Sequence, residues 1–171
     1  ALWTYLSGGV NNEKVWIFDN GSYGFAAGEV TYADPSTTVE WNNWSANWDP
    51  GVGHSGDDAI WESTMTFGLT GGANVTVYNS SSQSTTVGTF MLNVDDHTIT
   101  FTDCELLHTP SWSDRSTNWN RNLKLLELDE NHMRIGVMRD NSEGPWWLVW
   151  NFVSKEYADN YVPEDRPDPE P

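Results

Sequence analysis

Basic residues are scarce in this sequence, which has 8 Lys and Arg against 25 Asp and Glu among 171 residues, for a net charge of −17. A surface of that sign repels nucleic-acid phosphates and anionic lipid headgroups. No apolar run approaches the roughly 18 to 20 residues that a membrane-spanning helix needs. We therefore expect neither nucleic-acid binding nor membrane insertion.

Cysteine is nearly absent as well, since Cys104 is the only one. An intrachain disulfide is thus impossible, and stability must come from packing. The sequence also lacks HExxH, GxSxG and glycine-rich phosphate-loop motifs, and its histidines have no metal-ligand spacing. We expect no enzyme and no cofactor. One structural calcium site is conceivable, because Asp49, Asp57 and Asp58 surround a glycine-rich stretch.

Aromatic residues, in contrast, are abundant: 11 Trp, 6 Tyr and 6 Phe make up 13% of the chain. Disordered acidic chains are poor in such residues, so the length predicts one folded domain. Eleven tryptophans exceed what a single core of this size ordinarily needs. The excess points to a ligand-binding surface.

Short segments with period-two alternation recur along residues 1–157, separated by turn residues, and no long apolar stripe has helical spacing. Gly71-Gly72, the run 95–97 and the run 129–132 predict hairpin turns. The opening LWTYL is predicted to be a strand too. We predict an all-β fold, an antiparallel β-sandwich of jelly-roll type. A closed lipocalin-like barrel is the alternative, because both folds bury alternate residues.

The end of the chain differs from the rest. From Tyr161 it reads YVPEDRPDPEP, where proline is separated mostly by acidic residues, a composition that favours an extended, semi-rigid state. We therefore divide the chain into a β-domain at 1–157 and a linker at 158–171 that leads toward another module.

Two long insertions in the strand pattern, 31–60 and 109–120, are rich in tryptophan and small polar residues. An indole stacks on the apolar face of a sugar ring, while amides and guanidinium groups bond its hydroxyls. Because loops lie at the surface, we predict that these tryptophans are exposed and bind a polysaccharide or oligosaccharide. The candidate contact residues are Trp41, Asn43, Trp44, Asn47, Trp48, Trp112, Arg115, Asn118, Trp119 and Trp147.

Other tryptophans fit the alternating strands and are expected in the core. Adjacent residues of a strand face opposite ways, so Trp146 should join the more apolar face of the last strand and Trp147 the other. The expected core tryptophans are Trp3, Trp16, Trp61 and Trp150.

Several segments resemble modules of Bacteroidota glycan-utilisation systems, found in surface glycan-binding proteins and beside extracellular endo-glycanases. These are the opening LWTYLSGGVNNEKVWIFDNGSYGF, then MTFGLTGGANVTVY, GTFMLNVDDHTITF and LKLLELDENHMRIGVMRDNSEGPWWLVWNF. The resemblance covers most of residues 2–153. It implies a carbohydrate-binding β-sandwich on a secreted or cell-surface protein, a monomer strung by linkers to further modules.

The sequence thus predicts a non-catalytic module that binds a plant or microbial β-glycan. Two other hypotheses remain open. One is a structural spacer or protein-interaction domain whose tryptophans anchor long loops. The other is a lipocalin-like barrel that holds a small apolar ligand.

Overall fold

The computed structural model describes residues 1–163, and strands dominate it as the alternation predicts. Three short helices accompany them: α1 (Leu2–Ser7), a 3₁₀ helix (Pro110–Arg115) and α2 (Lys155–Asn160). The strands are β1 (Glu13–Phe18), β2 (Val30–Ala33), β3 (Val39–Glu40), β4 (Asn43–Trp44), β5 (Thr64–Gly68), β6 (Asn74–Asn79), β7 (Ser84–Asn93), β8 (Thr98–Thr102), β9 (Leu123–Leu128), β10 (His132–Met138) and β11 (Trp147–Ser154).

The main sheet closes on itself. Its strand order is β1-β5-β6-β7-β8-β9-β10-β11-β2, and β1 also pairs with β11, so β1 and β5–β11 form an eight-stranded antiparallel barrel. The all-β prediction is confirmed. The barrel named as the alternative is observed in place of the β-sandwich, because pairing between the first and last barrel strands removes the edges that two separate sheets would keep.

The predicted hairpins are confirmed. β5 and β6 pair on either side of Gly71-Gly72, β7 and β8 flank the turn at 95–97, and β9 and β10 flank the turn that follows Leu128. The pairings of β1 with β5 and of β11 with β1 and β2, in contrast, join residues far apart in the sequence.

One edge of β11 is shared by two strands. β1 pairs with its last residues, from Phe152 to Ser154, and β2 pairs with its first residues, from Trp147 to Trp150. β1 and β2 therefore follow each other along the same edge. The chain between them, 19–29, stays in contact with β10 and β11, because the Phe25 carbonyl accepts a hydrogen bond from Arg134 and the Gly28 carbonyl accepts one from Asn151. β2 extends the barrel wall along β11 beyond β1, and no barrel strand lies beside its other edge.

Large apolar side chains fill the barrel. An eight-stranded barrel is just wide enough for side chains to occupy its interior, and the packed interior argues against an apolar ligand held inside. Side chains no more than 1% exposed include Trp16, Met65, Phe67, Ile99, Phe101, Leu123, Trp150 and Phe152.

The core tryptophans behave as predicted in two cases out of four. Trp16 and Trp150 are fully buried, whereas Trp3 and Trp61 are only partly buried and pack against the core from its ends. The alternation at the start of β11 also holds, because Trp146 contacts the main core while Trp147 contacts a separate small cluster outside the barrel.

The opening segment is a helix and not the predicted strand. α1 ends at Gly8, whose φ of 81° lets its N–H bond back to the carbonyl of Thr4. The side chain of Leu6 is fully buried, and its carbonyl accepts a hydrogen bond from Trp16 Nε1 at 2.9 Å. The helix directs Leu2, Trp3 and Leu6 toward the barrel, so that they cover one of its ends. A strand could not do this, because its adjacent residues face opposite ways.

The predicted linker begins inside an element. Residues 158–160 complete α2, and Tyr161 packs edge-on against Tyr23 with 5.4 Å between ring centroids. The rest of the predicted linker, 164–171, lies outside the described residues. Within residues 1–163, none of the helices has the length and apolarity to cross a membrane.

Gly88 provides a test of how β7 crosses the chain that follows β8. A Cβ at this position would overlap the carbonyl oxygen of Thr102 and lie 2.7 Å from Cys104 Cβ. We expect Gly88→Ala to lower the free energy of unfolding by about 2–3 kcal/mol, measured by urea denaturation. The exposed neighbour provides the control, since Thr89→Ala should cost under about 1 kcal/mol. Equal losses would contradict the close approach.

Candidate functional site

The barrel has a gap at the end opposite α1, where β2 lies beside β11 without a barrel strand on its other side. A loop segment after β4 fills it. The Tyr32 N–H donates to the carbonyl of Trp48 at 2.9 Å, and the Asn47 N–H donates to the carbonyl of Tyr32 at 2.8 Å. Backbone pairing thus fixes Trp48 at the free edge of β2.

Trp48 presents an exposed indole on a rigid base. Its ring stacks on Tyr32 with centroids 4.8 Å apart and planes at 25°, and 53% of the residue remains exposed. His54 meets Trp48 edge-on at 4.9 Å, and His54 Nε2 lies 2.9 Å from the Tyr32 hydroxyl. We call Tyr32, Trp48 and His54 the Trp48 platform.

Burial keeps the platform uncharged. Desolvation lowers the pKa of His54 below its ordinary value, and Arg115 lowers it further against the opposing effect of Glu29. Desolvation also raises the pKa of Tyr32. Both rings are therefore neutral near pH 7, and stacking on the platform requires no neutralisation of a titratable group.

A buried carboxylate anchors the loop that carries His54. Glu29 is fully buried just before β2, and it accepts hydrogen bonds from the Gly53 N–H at 2.8 Å and the Ser55 hydroxyl at 2.7 Å. Bonds to a buried carboxylate are charge-assisted and strong. Glu29 thereby ties the loop to the barrel wall beneath the platform.

Arg115 adjoins the platform through Trp112. Its guanidinium carbon sits 3.8 Å from the centre of the Trp112 ring, and that ring centre is 6.5 Å from the centre of the Tyr32 ring. Trp112 in turn packs edge-on against Trp150 of β11 at 5.4 Å. The 3₁₀ helix thus brings a stacked cation next to the aromatic platform.

A shallow cleft adjoins the platform on the outer wall. The β3–β4 hairpin forms it, and its volume is about 340 Å³. No lining side chain is charged, which suits hydroxyl-bearing ligands better than ions. We call this the hairpin cleft, and its lining residues are Thr37, Thr38, Asn43, Trp44, Ser45 and Asn47.

Side chains of β9 and β10 hold the hairpin against the barrel. Trp44 Nε1 donates to Glu127 at 2.9 Å, and the Arg134 guanidinium lies 5.3 Å from the Trp44 ring centre. Lys124 donates to the carbonyl of Val39 at 2.9 Å and lies 4.8 Å from the Trp147 ring centre. Each contact reduces the freedom of the cleft walls before a ligand arrives.

A small apolar cluster lies between the hairpin and the barrel. Trp44 and Trp147 pack against it, which leaves both indoles only partly exposed. Trp147 therefore supports the cleft from beneath and is absent from its lining. The buried members of the cluster are Ala33, Val39, Leu126 and Val149.

The exposure predicted for two loop tryptophans is wrong. Trp112 and Trp119 are only 3% and 2% exposed. Trp119 stacks on His108 with centroids 3.6 Å apart and donates from Nε1 to the carbonyl of Ser113 at 3.0 Å. The loop covers an open end of the barrel, and a cover over an apolar core must itself be apolar.

Two further candidate residues lie away from the platform. Trp41 stacks on His97 of the β7–β8 turn, with centroids 4.5 Å apart. Asn118 donates from Nδ2 to the carbonyl of Met138 at 3.2 Å, which makes it a bracing residue of the loop. The structure thus brings together Asn43, Trp44, Asn47 and Trp48 on one surface, and Arg115 adjoins the platform through Trp112.

Sequence reasoning missed Tyr32 and His54. Tyr32 lies in a short apolar strand, where an aromatic residue ordinarily belongs to the core. His54 follows a glycine-rich turn and has no metal-ligand spacing. Only the pairing of Tyr32 with Trp48, a contact between a strand and a loop, reveals that both support an exposed indole.

Two of the acidic residues considered for calcium accept hydrogen bonds from the protein itself. Burial would raise the pKa of Asp57, but hydrogen bonds, including those from Ser81, Thr109 and the Ala59 N–H, outweigh it and hold the pKa below its ordinary value. Asp49 accepts a bond from the Gly51 N–H at 3.2 Å. Within the described part of the chain, no group of three or more His, Cys, Asp and Glu side chains has metal-binding geometry.

A wider cleft of about 700 Å³ lies between α1 and α2 at the other end of the barrel. Lys14 donates to the carbonyl of Tyr5 at 2.7 Å, and desolvation lowers its pKa despite the nearby Glu130. The ammonium group is thus committed to joining α1 to the β9–β10 turn. The cleft is also lined by Glu13, Glu130 and Glu156, and it has no indole.

Comparisons with known proteins add no relative: neither the family models nor the curated proteins contain a match to this chain. The functional argument therefore depends on the surface formed by the Trp48 platform and the hairpin cleft.

His108 makes the stability of the cover over the barrel end dependent on pH. Burial lowers its pKa from 6.5 to about 4. The unfolded chain binds this proton below pH 6.5 and the folded chain only near pH 4, so stability falls as the pH falls through that window. At about 1.4 kcal/mol per pKa unit, the loss through this residue at pH 4 is about 3 kcal/mol.

Urea denaturation at pH 7 and pH 4 tests this dependence. His108→Gln should be less stable than the wild type at pH 7 and lose less stability on acidification. The carboxylates contribute equally to both proteins, so the difference between the two pH profiles isolates His108. If both proteins lost the same free energy of unfolding between pH 7 and pH 4, protonation of His108 would not destabilise the folded state.

Proposed function

We propose that this domain is a non-catalytic carbohydrate-binding module for a plant or microbial β-glycan. The observation that carries the proposal is Trp48, an indole 53% exposed yet fixed by backbone pairing and stacking on Tyr32. An exposed aromatic ring that is already held in place offers contact area at low entropy cost, which suits a ligand-binding surface.

Stacking supplies the binding energy in this proposal. The free face of Trp48 covers the apolar C–H face of one sugar ring, and the aromatic contact costs little side-chain entropy because Tyr32 and His54 already hold the indole. A single stacking contact contributes on the order of 1–3 kcal/mol, by analogy with base stacking on aromatic side chains. Binding should therefore be modest for one ring.

The hairpin cleft supplies the polar half of the site. Asn47 lies in the cleft lining and directly precedes Trp48, so a glycan chain on the indole continues toward Asn43 and Trp44. Asn47 Oδ1 accepts a bond from the Asp34 N–H at 2.7 Å, which orients its amide. Oriented amides form paired hydrogen bonds to neighbouring hydroxyls.

The wider setting follows from the resemblance and from modest affinity. A module that binds weakly gains strength when linkers connect it to others on the same polysaccharide. We place the domain, as a monomer, in a multimodular secreted or cell-surface protein of a Bacteroidota glycan-utilisation system. In this role it holds substrate and performs no chemistry.

A spacer or protein-interaction domain is the second candidate, and two observations favour it. Trp112 and Trp119 anchor a loop as that hypothesis expects. The outward positions of β5–β8 also carry no charge, and on that face Val87 and Met91 are 64% and 70% exposed. Such a face could pack against a neighbouring module.

Affinity gel electrophoresis across soluble polysaccharides separates the two candidates. The panel includes xylan, mixed-linkage glucan, xyloglucan, glucomannan, laminarin and pectin. Retardation by one of them supports the binding module and gives its substrate class. Unchanged migration on the whole panel would contradict the module and favour the spacer.

Trp48→Ala tests the platform itself. The variant should lose at least about tenfold in affinity for the retarding glycan, since about 1.4 kcal/mol corresponds to a factor of ten. Its melting temperature should barely change, because the indole is largely exposed. Isothermal titration calorimetry and thermal unfolding measure the two quantities.

Two variants serve as controls for this experiment. Tyr5→Ala removes a 37% exposed aromatic ring at the opposite end of the barrel and should bind like the wild type. Trp119→Ala removes a buried indole and should cost about 3–5 kcal/mol of stability. Equal binding by the Trp48 and Tyr5 variants would place the glycan site elsewhere.

A further inference from the structure

Arg115 differs from the other described basic side chains in its surroundings. Carboxylates lie within 4.0 Å of Lys124, Arg134, Arg139 and Lys155. Among residues 1–163, no carboxylate lies that close to Arg115, although 25 of the chain's 171 residues are acidic. Lys14 and Arg121 share this lack, but Lys14 donates to the carbonyl of Tyr5 at 2.7 Å, and Arg121 is exposed.

The contact with Trp112 holds Arg115 in place and leaves the N–H groups of its guanidinium available to bind a ligand. A guanidinium carries five N–H donors in one plane. The guanidinium carbon is 3.8 Å from the centre of the buried Trp112 ring, and this contact restrains its position. A restrained, half-buried fork of donors matches a carboxylate, which accepts two parallel N–H bonds.

The charged neighbours do not fill this position. Arg139 is bonded to Glu143 at 3.1 Å, and the Asp140 carboxylate accepts bonds from the N–H and hydroxyl of Thr117. Asp114, next to Arg115 in sequence, is exposed. Each nearby carboxylate therefore has another partner or faces solvent.

From these contacts we infer that Arg115 recognises a carboxylate of the bound glycan, so that the ligand is a mostly neutral β-glycan bearing isolated uronic acid residues. This inference rests on the proposed function of the Trp48 platform. Arg115 lies over Trp112, whose ring centre is 6.5 Å from that of Tyr32 and 5.7 Å from that of His54, so the guanidinium adjoins the Trp48 platform. A uronate on or next to the stacked sugar meets the guanidinium edge.

The net charge of the protein restricts how many carboxylates the ligand can carry. A chain of charge −17 repels a dense polyanion, and a single unpaired guanidinium cannot offset that repulsion along a whole polymer. One uronate among neutral sugars gains the local pairing and avoids most of the repulsion. Polygalacturonate should therefore bind more weakly than a sparsely substituted glycan.

The experiment compares ligands that differ only in the carboxylate. Calorimetry measures the wild-type affinity for a xylo-oligosaccharide with one glucuronic acid branch, for its methyl ester and for the unbranched oligosaccharide. We expect the acid to bind about tenfold more tightly than the ester, with the preference falling as salt rises. This comparison requires no variant.

Arg115→Gln then assigns the preference to this residue. It should bind the acid and the ester equally while its affinity for the unbranched chain stays within about threefold of the wild type. Arg121→Gln, the matched control, should keep the preference. Circular dichroism and thermal unfolding report whether Arg115→Gln retains its fold. If it does not, the wild-type comparison of acid and ester decides alone.

The possible outcomes separate this inference from the proposed function. Binding of neutral oligosaccharides without preference for the acid would overturn the role of Arg115 and leave the glycan module intact. A preference for the acid that survives in Arg115→Gln would overturn it as well. Failure of all the oligosaccharides and the polysaccharide panel to bind would overturn the proposed function itself.

Discussion

The edge of β11 that receives both β1 and β2 is the constraint on which the rest of the structure depends. Asn151 lies fully buried at the junction between the two strands. Its carbonyl accepts from the Asp19 N–H and its own N–H donates to the carbonyl of Glu29, so the backbone ladder passes from one strand to the next. Its side chain donates to the Gly28 carbonyl and accepts from Arg134. Both the backbone and the side chain of Asn151 are therefore hydrogen-bonded at the junction.

This arrangement closes the barrel and creates the candidate site at the same time. Closure requires β1 beside β11, which leaves β2 to extend the wall with an unpaired edge. An unpaired edge must be covered or it invites association with another chain. The segment at Trp48 covers it, and the backbone bonds that do so also fix an indole at the barrel end. The exposed indole is thus a consequence of how the edge is protected.

Much of the fold could be predicted because strand alternation and turn residues are local. The hairpins around Gly71-Gly72 and the 95–97 turn follow from neighbouring residues alone. Closure into a barrel could not be predicted, since alternate residues are buried in a sandwich as well. Four residues of the candidate site could also be predicted, because they lie close together in the sequence. They are Asn43, Trp44, Asn47 and Trp48.

The fate of Trp112 and Trp119 could not be predicted for a different reason. A loop rich in turn residues is ordinarily solvated, but this loop lies over the core of the barrel. Whether a loop tryptophan faces water or the core depends on what lies beneath the loop, and that is a long-range property. The same holds for Tyr32, whose partner is 16 residues away in the chain.

Three of the described basic residues lie around the site. Lys124 and Arg134 hold the hairpin cleft against β9 and β10, and each also lies near an indole. Arg115 instead lies over Trp112. Cations placed this way offset part of the local carboxylate charge. In a protein of net charge −17, a site for an acidic sugar could be built only where such residues gather.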